Sequence, residues 1–242
     1  MQRITTRRRF LTGSSVLLAA TAVSRPLSLL AQEKSQSDKE EKSAENKAEE
    51  VSPAEDLMRE HGVLDRVLLI YGEVLVRLRD GKDFSPGVLA GGADLVRRFI
   101  EDYHEKLEED YLFPRFEKAG KLVELVQVLR RQHQAGRRLT ETIKNRATAA
   151  ALKNAEETKA LVDSLHGFIR MYRPHAARED TVLFPAFRLL VSPHEYDVLG
   201  EEFEDKEHAL FGEEGFAKIV DEVAQLEKTL GIYDLAQFTP QL

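Results

Sequence analysis

The stretch HEKLEEDYLFPRF, at residues 104–116, has a second copy seventy-one residues later, HAAREDTVLFPAF, at residues 175–187. The two copies align without a gap and share the pattern H-x-x-x-E-[ED]-x-x-L-F-P-x-F. Residues four apart lie on one face of an α-helix, so each copy places a histidine beside a glutamate. Each such pair is therefore a candidate pair of metal ligands.

Two further histidines extend the repeat beyond this motif. His61 and His133 lie seventy-two residues apart, and each precedes the next H-x-x-x-E histidine, by forty-three and forty-two residues respectively. The chain has no cysteine, so a metal site in it must use imidazole and carboxylate groups. Ionisable groups are costly to bury without a partner, so six of them on inward-facing helix positions predict a site for two metal ions. The predicted metal-ligating residues are His61, His104, Glu108, His133, His175 and Glu179.

The fold class follows from the spacing of apolar residues. They recur every three or four residues in four long segments, at about 53–79, 93–119, 121–150 and 156–190. No stretch alternates convincingly with period two, so the predicted fold class is all-α. Long helices with short connections favour an up-down-up-down four-helix bundle, and such bundles hold metal sites in their core.

Composition divides the chain into four parts. Residues 1–31 have a basic start and an apolar middle, which is typical of a signal peptide, and TRRRFLT, at 6–12, resembles the twin-arginine export motif. We therefore expect export to the periplasm or another extracytoplasmic compartment, with an ordinary secretory signal or an uncleaved anchor as the alternative. Residues 32–52 are charged and almost without apolar side chains, which predicts a disordered linker. We expect the four-helix bundle over 53–191 and a C-terminal helical extension over 192–242.

Charge and hydropathy argue against two classes of partner. The formal net charge is −7, and the first thirty-one residues contain five arginines and no acid, so the rest of the chain is more acidic still. An acidic body argues against nucleic acid as a partner. The longest apolar run, 16–23, is far shorter than the roughly 18 residues of a membrane-spanning helix, so we expect no stable span in the mature chain.

The repeated residues resemble those of the hemerythrin-like, or HHE cation-binding, family. The resemblance covers roughly residues 54–191 and includes QHQAGR, at 132–137, on the third helix. It implies a non-haem di-iron centre in which Glu108 and Glu179 bridge two iron ions and the four histidines are terminal ligands. We expect iron in preference to manganese or zinc. A ferritin-like site fits less well, because it uses E-x-x-H spacing and more glutamates.

One position departs from the pattern of the oxygen-carrying hemerythrins. They have a fifth histidine one turn after the third-helix histidine, and here that position is Arg137, which cannot coordinate iron. Either one iron ion is open to water or substrate, or another group completes its ligand set. His208 is the best outside candidate, followed by Tyr71 and Tyr103.

The resemblance implies two classes of function, which the sequence leaves open. The first is an exported protein that binds or senses oxygen, nitric oxide or iron. The second is a di-iron oxidoreductase that consumes peroxide or nitric oxide, for which an under-ligated centre is better suited than a saturated carrier. The expected partners are therefore small diatomic molecules or peroxide.

Overall fold

A computed structural model of the chain describes residues 51–240. The predicted signal peptide and nearly all of the predicted linker lie outside the described residues. Within 51–240 the chain forms helices and no strands, so the all-α prediction is confirmed. No helix in this part of the chain combines the length and the apolar character that crossing a membrane requires.

Six long helices follow one another within residues 51–240, and two of them, α2 and α4, contain π-helical turns. Helix α1 is Pro53–Asp80, α3 is Val123–Arg146, α5 is Pro193–Phe211 and α6 is Gly215–Leu230. Helix α2 runs over 86–119 as Pro86–Leu95, Val96–His104, Glu105–Leu107, Glu108–Leu112 and Phe113–Ala119. Helix α4 runs over 155–190 as Ala155–Arg178, Glu179–Leu183 and Phe184–Leu190. Short 3₁₀ turns are Ala151–Lys153 and Leu235–Phe238.

Serine caps start two of these helices where the sequence predicts them. The Ser52 hydroxyl oxygen accepts a hydrogen bond from the Glu55 backbone N–H at 3.3 Å, and Pro53 occupies the first helical position. Ser192 caps α5 in the same way, accepting from the Glu195 N–H at 3.2 Å. Such caps satisfy backbone donors that the first helical turn leaves unpaired.

Helix α2 begins earlier than the segment expected at about 93–119, because it runs through Gly91 and Gly92 from Pro86. The two glycines allow close packing. A Cβ on Gly92 would lie 3.2 Å from Tyr71 Cε1, and one on Gly91 would lie 2.8 Å from Leu226 Cδ2. Helices α1 and α6 can approach α2 closely because these side chains are missing.

Two π-helical turns lie at equivalent points of the repeat. They are Glu108–Leu112 and Glu179–Leu183, and in each the backbone N–H of the next phenylalanine donates to the glutamate five residues earlier. A proline follows each phenylalanine, and proline cannot donate a backbone hydrogen bond inside a helix. Each turn therefore inserts one extra residue between a candidate metal-binding glutamate and the rest of its helix.

Packing is consistent with a helical bundle. Helix α1 contacts α4, α3 contacts α4, and α2 contacts both α1 and α3. Their shared interior holds aromatic rings such as Tyr71, Phe168 and Tyr172, which pack edge-on or tilted with centroids 4.4–5.3 Å apart. Helix α6 packs against α1 and the first part of α2, and α5 packs against α1. The two C-terminal helices, α5 and α6, thus cover α1 and the first part of α2.

Candidate metal centre

The structure brings all six sequence-predicted residues together in the interior. They come from four helices, and each is between 0% and 4% exposed. Helix α1 supplies one histidine, α3 supplies another, and α2 and α4 each supply a histidine and a glutamate. In chain order they are His61, His104, Glu108, His133, His175 and Glu179.

Each glutamate lies between two histidines, one from each copy of the sequence repeat. Glu108 Oε2 is 3.9 Å from His104 Nε2 and 3.4 Å from His133 Nε2. Glu179 Oε2 is 3.4 Å from His61 Nε2 and 3.0 Å from His175 Nε2. Both carboxylates are therefore placed to be shared by two cations.

The side chains form two candidate cation positions. In the first, ligand atoms of His61, His104 and Glu108 all lie within 4.8 Å of one another. In the second, the same holds for His133, His175, Glu108 and Glu179. We call these the His61/His104 position and the His133/His175 position. Because Glu108 belongs to both, the geometry can hold two neighbouring cations.

A side-chain oxygen on a neighbouring helix holds the Nδ1 atom of each imidazole. Carboxylate and amide oxygens accept hydrogen bonds, so each Nδ1 carries the hydrogen and each Nε2 keeps its lone pair for a cation. Partners of this kind orient a metal-binding ring and raise its basicity. The pairs are His61 with Asp180 at 2.7 Å, His104 with Glu60 at 2.8 Å, His133 with Glu109 at 3.1 Å, and His175 with Gln132 at 2.9 Å.

Sequence reasoning missed these four oxygen donors, although the repeat contains their signal. Glu109 and Asp180 fill the same acidic position, directly after the glutamate of each H-x-x-x-E pair. Glu60 and Gln132 each directly precede the histidine of α1 or α3. The repeat therefore specifies the partners of the imidazoles as well as the imidazoles themselves.

The phenylalanine of each L-F-P sequence also belongs to the centre. The Phe184 ring stacks on the His61 ring at a centroid distance of 5.5 Å, and Phe113 stacks on His133 at the same distance. Both phenylalanines are fully buried. These rings form apolar walls that keep water away from the imidazoles and fix their planes.

Several buried polar atoms at the two candidate cation positions form no hydrogen bond outside the six residues. They are His104 Nε2, His133 Nε2 and both carboxylate oxygens of Glu108 and of Glu179. Leaving buried polar atoms unsatisfied costs free energy, and native proteins rarely do so. A cation between them would satisfy all six, so the residues present fit a bound metal.

Burial and neighbouring charges set the pKa values of the histidines in opposite directions. Burial lowers the pKa of His133 to about 4 and that of His104 well below its usual value. Burial also disfavours the charged form of His61, but its hydrogen bonds with Asp180 and Glu179 outweigh that effect and raise its pKa to about 9. Without a metal, the centre thus holds a proton on His61 at neutral pH.

The pKa values of the two shared carboxylates, Glu108 and Glu179, also shift in opposite directions. Burial, followed by the negative charge of Glu179, raises the pKa of Glu108 well above its usual range. Burial acts in the same direction on Glu179, but the charges and hydrogen bonds of His175 and His61 lower its pKa well below that range. A cation entering the centre must displace the proton on His61, so metal binding releases a proton.

Arg137 lies at the position where the oxygen-carrying hemerythrins have a fifth histidine. Its guanidinium contacts residues outside the six candidate ligands. Its guanidinium lies 2.9 Å from carboxylate oxygens of Glu105 and Glu109 and donates to the Glu101 carbonyl at 3.3 Å. The pKa of Glu109 falls to about 2, because its hydrogen bonds with His133 and Arg137 outweigh its partial burial. Arg137 therefore acts on His133 through Glu109.

Tyr172 completes this polar network beneath the His133/His175 position. Its hydroxyl donates to Glu105 Oε1 at 2.8 Å, and its ring packs edge-on against His175 at 5.4 Å. Gly136 makes this approach possible, because a Cβ there would lie 2.0 Å from the Tyr172 hydroxyl oxygen. The glycine one residue before Arg137 is therefore part of the architecture of the centre.

The other candidates for an additional ligand lie elsewhere in the fold. Among the described residues, His208 of α5 belongs to none of the histidine and carboxylate groups that could hold a cation. Tyr71 packs edge-on against Phe168 in the core. The Tyr103 ring packs against Phe211 of α5, with ring centroids 5.5 Å apart.

Comparison with known proteins agrees with this geometry. Residues 52–187 match the family model of the hemerythrin HHE cation binding domain. The chain is 52% identical over 190 residues to the uncharacterized proteins Rv1995 and MT2051 of Mycobacterium tuberculosis and Mb2018 of Mycobacterium bovis. The alignment covers 78% of this chain and 74% of each relative. No solved structure matches the chain significantly.

Proposed function

Because the chain belongs to the hemerythrin HHE cation-binding domain family, we propose that it is a non-haem di-iron protein that binds or senses oxygen, nitric oxide or iron. Glu108 and Glu179 would be shared between the two ions. His61 and His104 would hold one ion, and His133 and His175 would hold the other. Helices α1 to α4 form an up-down-up-down bundle around this pair.

The observation that carries the proposal is the set of six buried, unsatisfied nitrogen and oxygen atoms at the two candidate cation positions. Mixed imidazole and carboxylate donors suit iron, with manganese and zinc as competitors that the same donors accept. Bound iron supplies electrons and open coordination positions for a small ligand. The two cation positions offer three and four side chains, which leaves room for such a ligand.

The chain's own residues provide the environment that this function requires. Phe113 and Phe184 stack on the imidazoles of His133 and His61, so a diatomic ligand at the centre would meet apolar ring faces. Glu109 and Asp180 hold hydrogen at the Nδ1 atoms of the α3 and α1 histidines, which keeps the opposite nitrogens available to the metal. The site is thus preformed by side chains on four separate helices.

A di-iron oxidoreductase that consumes peroxide or nitric oxide is the second candidate. It is favoured by Arg137, which occupies the place of a further histidine and pairs with Glu105 and Glu109. The four side chains of the neighbouring His133/His175 position would then hold an ion without a fifth protein ligand, which would leave a place for an exchangeable ligand. Such a position suits turnover as well as reversible binding.

We also propose that the protein is exported to the periplasm or another extracytoplasmic compartment. The support is the basic and apolar pattern of residues 1–31 with its twin-arginine-like TRRRFLT. Fusing residues 1–51 to a reporter that works only outside the cytoplasm tests this. Loss of the reporter signal when Arg7 and Arg8 become lysine supports the twin-arginine route, whereas an unchanged signal argues for an ordinary secretory signal.

Elemental analysis of protein folded with ferrous iron tests the central proposal. We expect about two iron ions per chain, and fewer than one would refute the di-iron assignment. Mixing the diferrous protein with oxygen then separates the two functions. A spectrum that persists and reverses under argon supports binding, whereas rapid one-way oxidation or steady loss of peroxide supports an oxidoreductase.

A further inference from the structure

A groove open to solvent between α1 and α4 lies outside the metal centre. Its volume is about 580 Å³, within the range of roughly 300–1,000 Å³ that is typical of small-molecule sites. None of its lining residues is one of the six candidate metal ligands. Gly72, the lining residue nearest to His61 along α1, follows it by eleven residues, or about 16 Å of helix. From Gly72 the groove extends toward Arg79, away from the centre.

Aliphatic side chains make up half of the lining of this groove. Leu75 and Val76 of α1 and Val162 and Ile169 of α4 are among them, and all four are half-buried. Gly72 contributes no side chain, and nothing lies within 4 Å of a Cβ built there. The glycine therefore leaves room between the two helices, where an apolar chain can be buried against aliphatic side chains.

The charged residues of the groove are all basic, although the body of the protein is acidic. The described residues that line it include Arg79, His166 and Arg173, which are exposed, and no aspartate or glutamate. Arg79 is paired with Asp80 at 2.8 Å. Arg173 forms no hydrogen bond or close ion pair with another described residue. Burial raises the pKa of Asp65, and the charge of Arg173 offsets part of that effect. Arg173 therefore keeps its guanidinium hydrogens available to a ligand.

We propose that this groove binds an amphipathic monoanion, an alkyl chain that ends in a carboxylate. The aliphatic side chains contact the chain, and Arg173 pairs with the carboxylate, since a guanidinium forms two parallel hydrogen bonds with this planar group. His166 lies two helical turns before Arg173, so both side chains project to the same side of α4. One available guanidinium matches a single negative charge, whereas the acidic body of the chain repels more highly charged anions.

Isothermal titration calorimetry of the full chain with octanoate tests this proposal. We expect saturable binding at a single site. Acetate has the charge without the alkyl chain, and 1-octanol has the alkyl chain without the charge. Because the groove uses both parts of the ligand, each of these molecules should bind at least about 10-fold more weakly than octanoate.

Paired variants locate the site. Gly72→Leu places a side chain in the groove and should abolish octanoate binding. Gly62→Leu is its control, since Gly62 lies on the same helix with nothing within 4 Å of a Cβ and does not line the groove. Arg173→Gln should weaken octanoate binding about 10-fold and leave the binding of 1-octanol unchanged. Arg170→Gln is the matched control, because Arg170 is exposed on α4 and does not line the groove.

Several outcomes would overturn this assignment. Absence of octanoate binding would do so, as would binding that persists in Gly72→Leu. Equal affinities for octanoate and 1-octanol, or equal effects of Arg173→Gln and Arg170→Gln, would overturn the pairing of Arg173 with a carboxylate. Circular dichroism of each variant establishes that it is folded. The result is independent of the di-iron proposal, since no candidate metal ligand lines the groove.

Discussion

His61 has two incompatible states, one with a proton on each nitrogen and one with Nε2 bound to a cation. Its pKa of about 9 means that the first state prevails at neutral pH when metal is absent. In that state the imidazolium lies between Asp180 and Glu179, 2.7 Å from the first and 3.4 Å from the second. The metal-free protein therefore substitutes a proton for part of the charge that a cation supplies.

This proton makes the stability of the metal-free protein depend on pH. Since the folded pKa of His61 lies above its unfolded value of about 6.5, its contribution is complete below pH 6.5 and is lost as pH rises through 9. The loss amounts to about 3 kcal/mol. Urea unfolding of wild type and His61→Asn across this range checks the prediction. The free energies of unfolding should converge as pH rises, and a constant difference would contradict it.

Metal-binding residues should affect the loaded protein more than the metal-free one. Bound metal stabilises only the native state, so removing a ligand removes that linkage. His104→Ala should therefore shrink the rise in melting temperature that iron produces, and Glu179→Ala should do the same. His166→Ala, on the exposed face of α4, is the control and should leave the rise unchanged. Equal losses in both forms would count against His104 and Glu179 as ligands.

In helices α2 and α4, the sequence predicts which residues share a helix face but does not predict the π-helical turns. The four-residue spacing of the H-x-x-x-E pairs predicts that each histidine and glutamate share a face, and His175 and Glu179 lie 3.0 Å apart. The π-helical turns were not predicted, because a reading based on a period of 3.6 residues assumes an unbroken helix. Prolines at equivalent repeat positions, Pro114 and Pro185, were the available signal.

Close packing of α3 against α4 was also beyond the sequence reading. Gly136 lies inside the third predicted helical segment, and a Cβ there would collide with the Tyr172 hydroxyl group. The collision depends on which residue of α4 faces it, and helical periodicity does not give that register between helices. Long-range placement of this kind arises from packing and becomes visible only in the folded chain.

Gly136→Ala should therefore destabilise the protein by about 1–3 kcal/mol, because Tyr172 must leave its place beside Glu105. Gly72→Ala in α1 is the matched control, since nothing lies within 4 Å of a Cβ at that position. It should raise stability by up to about 1 kcal/mol through helix propensity. Chemical unfolding of both variants measures the contrast. Equal changes of the same sign would show that the Tyr172 contact does not matter.

At the scale of the whole molecule, α6 is fastened to the helices around the centre by ion pairs as well as by apolar packing. The Arg66 guanidinium forms two hydrogen bonds with Glu227, at 2.9 and 2.5 Å. Arg98 of α2 contacts Glu222 at 2.6 Å, and Arg77 donates to the Leu230 carbonyl at 2.6 Å. These contacts tie the middle and the C-terminal end of α6 to α1 and α2.

A double-mutant cycle on Arg66→Met and Glu227→Gln should give a coupling energy of about 1–2 kcal/mol, since the pair is bidentate and mostly buried. The exposed pair Lys106–Asp110 on α2 is the comparison and should give about 0.3–0.5 kcal/mol. Urea unfolding of the single and double variants yields both values. Similar coupling energies for the two pairs would mean that burial adds nothing to the α1–α6 contact.

The hydrogen bonds that hold the imidazoles run in a closed circuit around the four helices. The α1 histidine is held by α4, the α4 histidine by α3, the α3 histidine by α2 and the α2 histidine by α1. No helix can slide or rotate without breaking one bond that it gives and one that it receives. The four hydrogen bonds therefore hold the four helices together around the centre. The exchange of bound ions with those in solution should be limited by how often these hydrogen bonds break.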